Sequence, residues 1–229
     1  MAVLLFLGLS LTLLSSCAAT SHSAATNTGN GLRYLALGDS YTIGRSVPVA
    51  GRWPLQLAAA LRARGRPVAP PRILARSGWT SQDLLSAMGN GPTTEQFDLV
   101  SVLIGVNNQF QNDSIETYRH DLREIFRRAI ALSKRGRHAV FVLSIPDYGA
   151  TPYGAADAGT IGRAIDRWNR VYRDVAGEYR LKFFDITGIS RRGAEDPTLV
   201  SFDRLHPSAA QYRLWVDAIA AKVAALLDD

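Results

Sequence analysis

Cysteine and lysine are nearly absent from this chain of 229 residues, and each shortage excludes something. A single cysteine, Cys17, cannot close an internal disulfide. No cluster of cysteine and histidine suggests a structural or catalytic metal, and no cofactor is expected. With only Lys134, Lys182 and Lys222 as lysines, the net charge of +6 rests on arginine. The arginines are scattered, with short pairs such as Arg127-Arg128 and Arg191-Arg192, and no basic stripe is interleaved with aromatics. That pattern argues against a nucleic-acid partner. Internal repeats are lacking too. The apolar run that opens the chain, MAVLLFLGLSLTLLSS, falls short of the about 20 residues that a bilayer span needs.

What is there fits one soluble domain on a tether. Hydrophobic residues make up 47% and charged residues 20%, ordinary values for a globular chain with a well-buried core. Residues 1–16 carry no charged side chain and read as the core of a signal peptide. The stretch Leu14-Ser15-Ser16-Cys17 resembles the lipobox of bacterial lipoproteins. That resemblance implies a lipidated Cys17, export, and a membrane anchor on the periplasmic side of the cell envelope. Ordinary cleavage near Ala18-Ala19 is the alternative. Residues 17–31 are small and polar, as in a flexible tether. Residues 32–229 form the expected domain, taken to act as a monomer.

From residue 32 onward, strand and helix patterns alternate. Strands are predicted at Leu32–Leu37, Arg72–Ala75, Phe97–Ile104, His138–Ser144 and Leu181–Asp185. Helices are predicted at Trp53–Arg64, ended by Gly65, and at Ser81–Met88, with Ser81 as its cap. Three more follow at Thr117–Arg135, Thr160–Tyr179 and Ser208–Leu227. Alternation of this kind means parallel strands joined by crossovers. The expected architecture is a three-layer α/β/α sandwich around a five-stranded parallel sheet, flavodoxin-like, with strand order 2-1-3-4-5.

Ligands in such sheets bind beyond the carboxyl ends of the strands. Gly38, Asp39 and Ser40 follow the first strand, and Arg76, Ser77 and Gly78 the second. Gly105 to Asn108 follow the third, and SFDRLHPS, residues 201–208, precedes the last helix. A serine nucleophile needs a positioned base, almost always histidine. Of four histidines, His22 lies in the tether, His120 on the polar face of a helix, and His138 at the far end of strand four. His206 alone lies near the strand ends, with Asp203 three residues before it to orient the ring. Each piece also has a plain structural reading. Gly-Asp-Ser is common in turns, Asp203 to Pro207 suits a helix-capping loop, and Asn107 and Gly78 suit ordinary loop positions. Their joint placement on one edge favours a site.

These four segments, GDSYTIG, the Gly78 segment, GVNN and DRLHP, resemble the four blocks of the SGNH (GDSL-type) hydrolases, in the family's order from residue 38 to 207. The resemblance implies a serine ester hydrolase with Ser40 as nucleophile, His206 as base and Asp203 as its partner. It further implies an oxyanion hole from the N–H groups of Ser40 and Gly78 and the side chain of Asn107. Position 108 departs from the family's usual aspartate; the donor at 107 is untouched, so the change should act on loop bonding or substrate contacts. The α/β-hydrolase elbow Gly-x-Ser-x-Gly does not fit, since Thr42 stands two residues after Ser40. Asp39, Asn108, and Tyr148 and Tyr153 of the loop 145–162 are the candidate substrate contacts. Lipases, thioesterases, lysophospholipases and carbohydrate deacetylases all occur in the family. An acyltransferase and a non-catalytic glycan- or acyl-binding lipoprotein are the rival readings.

Overall fold

The computed structural model describes residues 31–89 and 94–228. The expected signal peptide, Cys17 and nearly all of the tether lie outside them. Five strands, β1 (Tyr34–Gly38), β2 (Arg72–Ala75), β3 (Leu99–Leu103), β4 (Val140–Leu143) and β5 (Lys182–Phe184), form one sheet. Its order is β2-β1-β3-β4-β5 with every pairing parallel, as the alternation predicts. The switch in strand order falls between β1 and β3, where the crossover leaves β1 for one edge and later returns.

Eight helices connect the strands among the described residues: α1 (Ser40–Ile43), α2 (Trp53–Arg62), α3 (Ser81–Met88), α4 (Val106–Phe110), α5 (Ile115–Leu132), α6 (Ala158–Glu178), α7 (Thr187–Arg191) and α8 (Ala209–Ala225). Every residue of β1, β3 and β4 is buried. Burial on both faces is why these strands read as unbroken apolar runs. Helix α2 packs on α8, while α3, α5 and α6 pack in series, so two helical layers enclose the sheet. The amphipathic spacing supplies their inner faces: Tyr118, Leu122, Ile125, Phe126 and Ala129 from α5, and Tyr212, Trp215, Val216, Ile219 and Val223 from α8, are all buried.

Several boundaries shift from the sequence expectation. His138 lies in a 3₁₀ turn, Gly136–Ala139, ahead of β4 rather than in the strand. Helix α5 starts two residues earlier than its periodicity suggests, because Ser114 accepts hydrogen bonds from the N–H groups of Glu116 and Thr117. Helix α3 is capped by Thr80, not by Ser81. The Thr80 hydroxyl accepts from the Asp83 N–H, and the Asp83 carboxylate accepts from the Thr80 N–H, a closed capping box. The Ser81 hydroxyl instead donates to the buried Asp121 carboxylate at 2.6 Å.

Candidate active site

Strand β1 ends where the chain must turn sharply into α1. A side chain at Gly38 would collide with Thr42 and with the Leu103 carbonyl of β3, so only glycine lets α1 close onto the sheet. Asp39 is then the N-cap of α1, its carboxylate accepting the Tyr41 N–H at 2.9 Å. Ser40 is the first helical residue, and its own N–H, one of the orphan donors of a helix start, has no protein acceptor among the described residues.

Helix α8 is preceded by a loop that brings Asp203 and His206 to the same point. His206 Nε2 lies 2.9 Å from Ser40 Oγ, and His206 Nδ1 lies 2.7 Å from Asp203 Oδ2. Oδ1 of Asp203 accepts the N–H groups of Leu205 and His206 at 3.0 and 2.9 Å, and Oδ2 accepts the Ser46 hydroxyl at 2.5 Å. Burial works to raise the Asp203 pKa, but these donors, led by Ser46, outweigh it and hold the carboxyl at about 2. For His206, burial lowers the pKa below 6.5 and outweighs the opposing pull of Asp203. A neutral imidazole at pH 7, with its Nδ1 tied to a carboxylate, is a base aimed at a hydroxyl.

The other predicted residues divide. Gly78 has φ +84°, the left-handed region that explains glycine there, and no acceptor among the described residues engages its N–H. Asn107, the second residue of α4, donates from Nδ2 to the Trp79 carbonyl at 2.8 Å, which ties it to the Gly78 segment. A carboxamide nitrogen carries two protons, so one remains for a ligand. A cavity of about 190 Å³ opens beside Ser40 and His206. Asn107, Tyr148 and Tyr153 line it, joined by Val106, Phe110 and Leu205, which the sequence did not single out. Their signal was available: Val106 and Phe110 open and close the short helix that follows β3, and Leu205 precedes His206.

Asp39 and Asn108 do not line this cavity, contrary to the expectation that they contact substrate. Asp39 is fully buried, and its Oδ2 has no hydrogen-bond partner among the described residues. Despite its place at a helix N-terminus, burial pushes its carboxyl up to about 7. Asn108 is also buried. Its Oδ1 accepts the Ser81 N–H at 2.9 Å, and its Nδ2 donates to Ser81 Oγ at 2.9 Å and to Asp113 Oδ2 at 3.0 Å. Asparagine stands at 108 because this knot needs a donor: the Ser81 proton is committed to Asp121, and Asp113 is an acceptor. Among the described residues, no group of three His, Cys, Asp or Glu is placed to hold a metal ion.

A doubly wound parallel sheet whose switch point carries a serine, a histidine and an aspartate in one hydrogen-bonded line defines a hydrolase of the serine class. Residues 36–214 match the family model of the GDSL-like Lipase/Acylhydrolase family, and the chain belongs to that family, a carboxylic ester hydrolase on an SGNH-type fold. Solved structures share the fold at low identity. The crystal structure of TesA superposes with a TM-score of 0.68 at 20% identity, covering 85% of this chain and 99% of that one. The psychrotrophic esterase EstA from Pseudoalteromonas sp., in a form inhibited by monoethylphosphonate, gives 0.66 at 16% identity over 86% and 100%. Axe2, an acetylxylan esterase from Geobacillus stearothermophilus, gives 0.63 at 22% over 85% and 95%. No curated protein sequence matches the chain.

Proposed function

We propose that the chain hydrolyses carboxylic esters through an acyl-enzyme on Ser40. The observation that carries this is the unbroken line Ser40 Oγ, His206 Nε2, His206 Nδ1, Asp203 Oδ2, at 2.9 and 2.7 Å. Ser40 Oγ attacks the ester carbonyl as His206 Nε2 takes its proton. Asp203 fixes the tautomer and stabilises the imidazolium without itself being protonated. The N–H groups of Ser40 and Gly78 and the free amide proton of Asn107 receive the oxyanion. His206 then returns its proton to the leaving alcohol. Water repeats the sequence on the acyl-enzyme and frees Ser40.

The acyl group is apolar and of short to medium length. Among the described residues, no charged side chain lines the cavity, and Phe110, Tyr148 and Tyr153 form an aromatic cluster on it, with centroids 6.0 and 6.5 Å from Phe110. Its volume lies below the roughly 300–1,000 Å³ of pockets that enclose drug-sized ligands. The lipobox-like Cys17 supports a lipid anchor at the cell envelope, testable by mass spectrometry of Cys17 from membrane fractions.

The test uses p-nitrophenyl esters from acetate to dodecanoate with wild type, Ser40→Ala and Asn107→Ala. Loss on the order of 10⁴- to 10⁶-fold is expected for Ser40→Ala and about 10²- to 10³-fold for Asn107→Ala. The chain-length profile should peak between the ends of the series. A phosphonate ester with a good leaving group should lose that group to Ser40 Oγ and leave only its phosphonyl mass on the Ser40 peptide; EstA is itself inhibited by monoethylphosphonate. Full activity in Ser40→Ala would exclude the acyl-enzyme.

A further inference from the structure

Ser46 lies outside the four sequence blocks, in the turn that follows α1. Gly44 ends that helix, and the Val47 N–H closes a turn onto the Gly44 carbonyl at 3.2 Å. Ser46 is the third residue of the turn and has φ +64°. Glycine or asparagine is the usual residue there, because a Cβ is disfavoured in the left-handed region. A strained conformation persists where surrounding structure demands it. Here the demand is visible: from this conformation the Ser46 hydroxyl reaches Asp203 Oδ2 at 2.5 Å, across 157 residues of chain.

That oxygen is the one that accepts from His206 Nδ1. We infer that Ser46 is a positioning residue of the hydrolytic site, acting through Asp203 on the basicity and orientation of His206. The inference rests on the acyl-enzyme reading given above. An ionised carboxylate has about four lone-pair sites. The backbone N–H groups of Leu205 and His206 take two, the imidazole takes a third and Ser46 takes the fourth. The carboxylate therefore has no freedom to rotate away from the ring. The Ser46 dipole also draws negative charge from Oδ2, which weakens its hold on the imidazolium and keeps His206 a ready proton donor to the leaving group.

Other groups set the background against which Ser46 acts. The Arg45 guanidinium opposes protonation of His206. The Tyr41 ring lies 5.5 Å from the imidazole, and buried Asp39 and Asp147 face Tyr41. These groups are common to wild type and the Ser46 variants, so a shift on substitution is read against the same background.

The deciding variant is Ser46→Gly, with Ser46→Ala beside it. Glycine relieves the left-handed strain and so offsets part of the stability lost with the hydroxyl; a native circular-dichroism spectrum at the assay temperature shows that any loss of rate is not a folding defect. Expected for Ser46→Gly is a kcat/KM about 10-fold lower, as for loss of a hydrogen bond to a charged group. Its acid limb should lie about half a pH unit higher than wild type, because Oδ2, freed of one donor, holds the imidazolium more tightly. Ser46→Ala should show the same profile with a lower melting temperature. An unmoved acid limb in Ser46→Gly, at either full or reduced rate, would overturn the inference. Measuring Ser40→Ala in the same series separates the two failures: an inactive Ser40→Ala with an unmoved Ser46→Gly profile sinks only the role of Ser46, whereas an active Ser40→Ala sinks the acyl-enzyme too.

Discussion

At the scale of single residues, position 108 shows how a departure from a family's habit is explained by its neighbours. Asn108 gives its Nδ2 protons to Ser81 Oγ and Asp113 Oδ2, and Ser81 gives its own proton to Asp121. An aspartate at 108 would set a second buried carboxylate beside the Ser81–Asp121 pair, facing the exposed Asp113 carboxylate, with no proton to offer. Asn108→Asp should therefore destabilise by about 3 kcal/mol at pH 8, as an uncompensated buried charge does. For a chain of this length that lowers the melting temperature by roughly 6–12 °C. The deficit should shrink at pH 5, where the new carboxyl can protonate and donate. Equal deficits at both pH values would show that the charge is not the cause. The same residue shows what sequence conveys and what it withholds. Ser40, Asp203 and His206 are legible because each is a reactive residue type in a short segment at a strand end. Burial of Asn108 and Asp39 is a tertiary fact, so both pass for substrate contacts until their neighbours are seen. Ser46 is invisible because its partner lies 157 residues away and its direction depends on a left-handed φ.

At the scale of elements, the five strands and five long helices are legible because burial on both faces, or on one helical stripe, imposes a period on the residues. Helices α1, α4 and α7 have four or five residues and show no period at all, yet α1 and α4 carry Ser40 and Asn107. These short helices are made by local hydrogen bonds, not by an apolar stripe. Caps fall between these cases. Thr80 and Ser81 are both good N-cap residues, and only packing decides between them: Ser81 is drawn into the core by Asp121, leaving Thr80 to close the box with Asp83. Removing that cap should matter to α3 alone. Thr80→Ala is expected to lower stability by about 1 kcal/mol, seen as a shift in denaturant midpoint with unchanged slope, and to leave esterase activity intact. Ser81→Ala, which strands a proton acceptor on Asp121 instead, should cost more. A Thr80→Ala variant as stable as wild type would assign the cap to Ser81 instead.

At the scale of the whole molecule, the site is assembled from groups whose protonation pulls stability in opposite directions. Asp203, held at about 2 against 3.8 when unfolded, contributes stability that is present above pH 3.8 and lost as pH falls through 2. His206, lowered below 6.5, contributes in the same sense, its share lost as pH falls below 6.5. Asp39 runs the other way. Its folded pKa of about 7 lies above the unfolded 3.8, so its contribution is fully present below pH 3.8 and disappears as pH rises through 7. The start of α1 offers Asp39 a favourable dipole, but that is worth about 1 kcal/mol, and removing a carboxylate from water costs several. Desolvation wins, which is why the group prefers its proton. In an Asp39→Asn variant the carboxamide oxygen can still accept the Tyr41 N–H, so the cap is kept while the titration is removed. Between pH 5 and 8 the wild type should lose on the order of 2 kcal/mol relative to Asp39→Asn, measured by urea unfolding at both pH values. A stability difference that does not change with pH would mean that Asp39 is ionised throughout, held by a compensating charge or solvent contact. The carboxyl group beside Ser40 is then a source of pH-dependent strain at the very turn that presents the serine. On that account the fold tolerates Asp39 for the cap it forms, and does so best in mildly acidic solution.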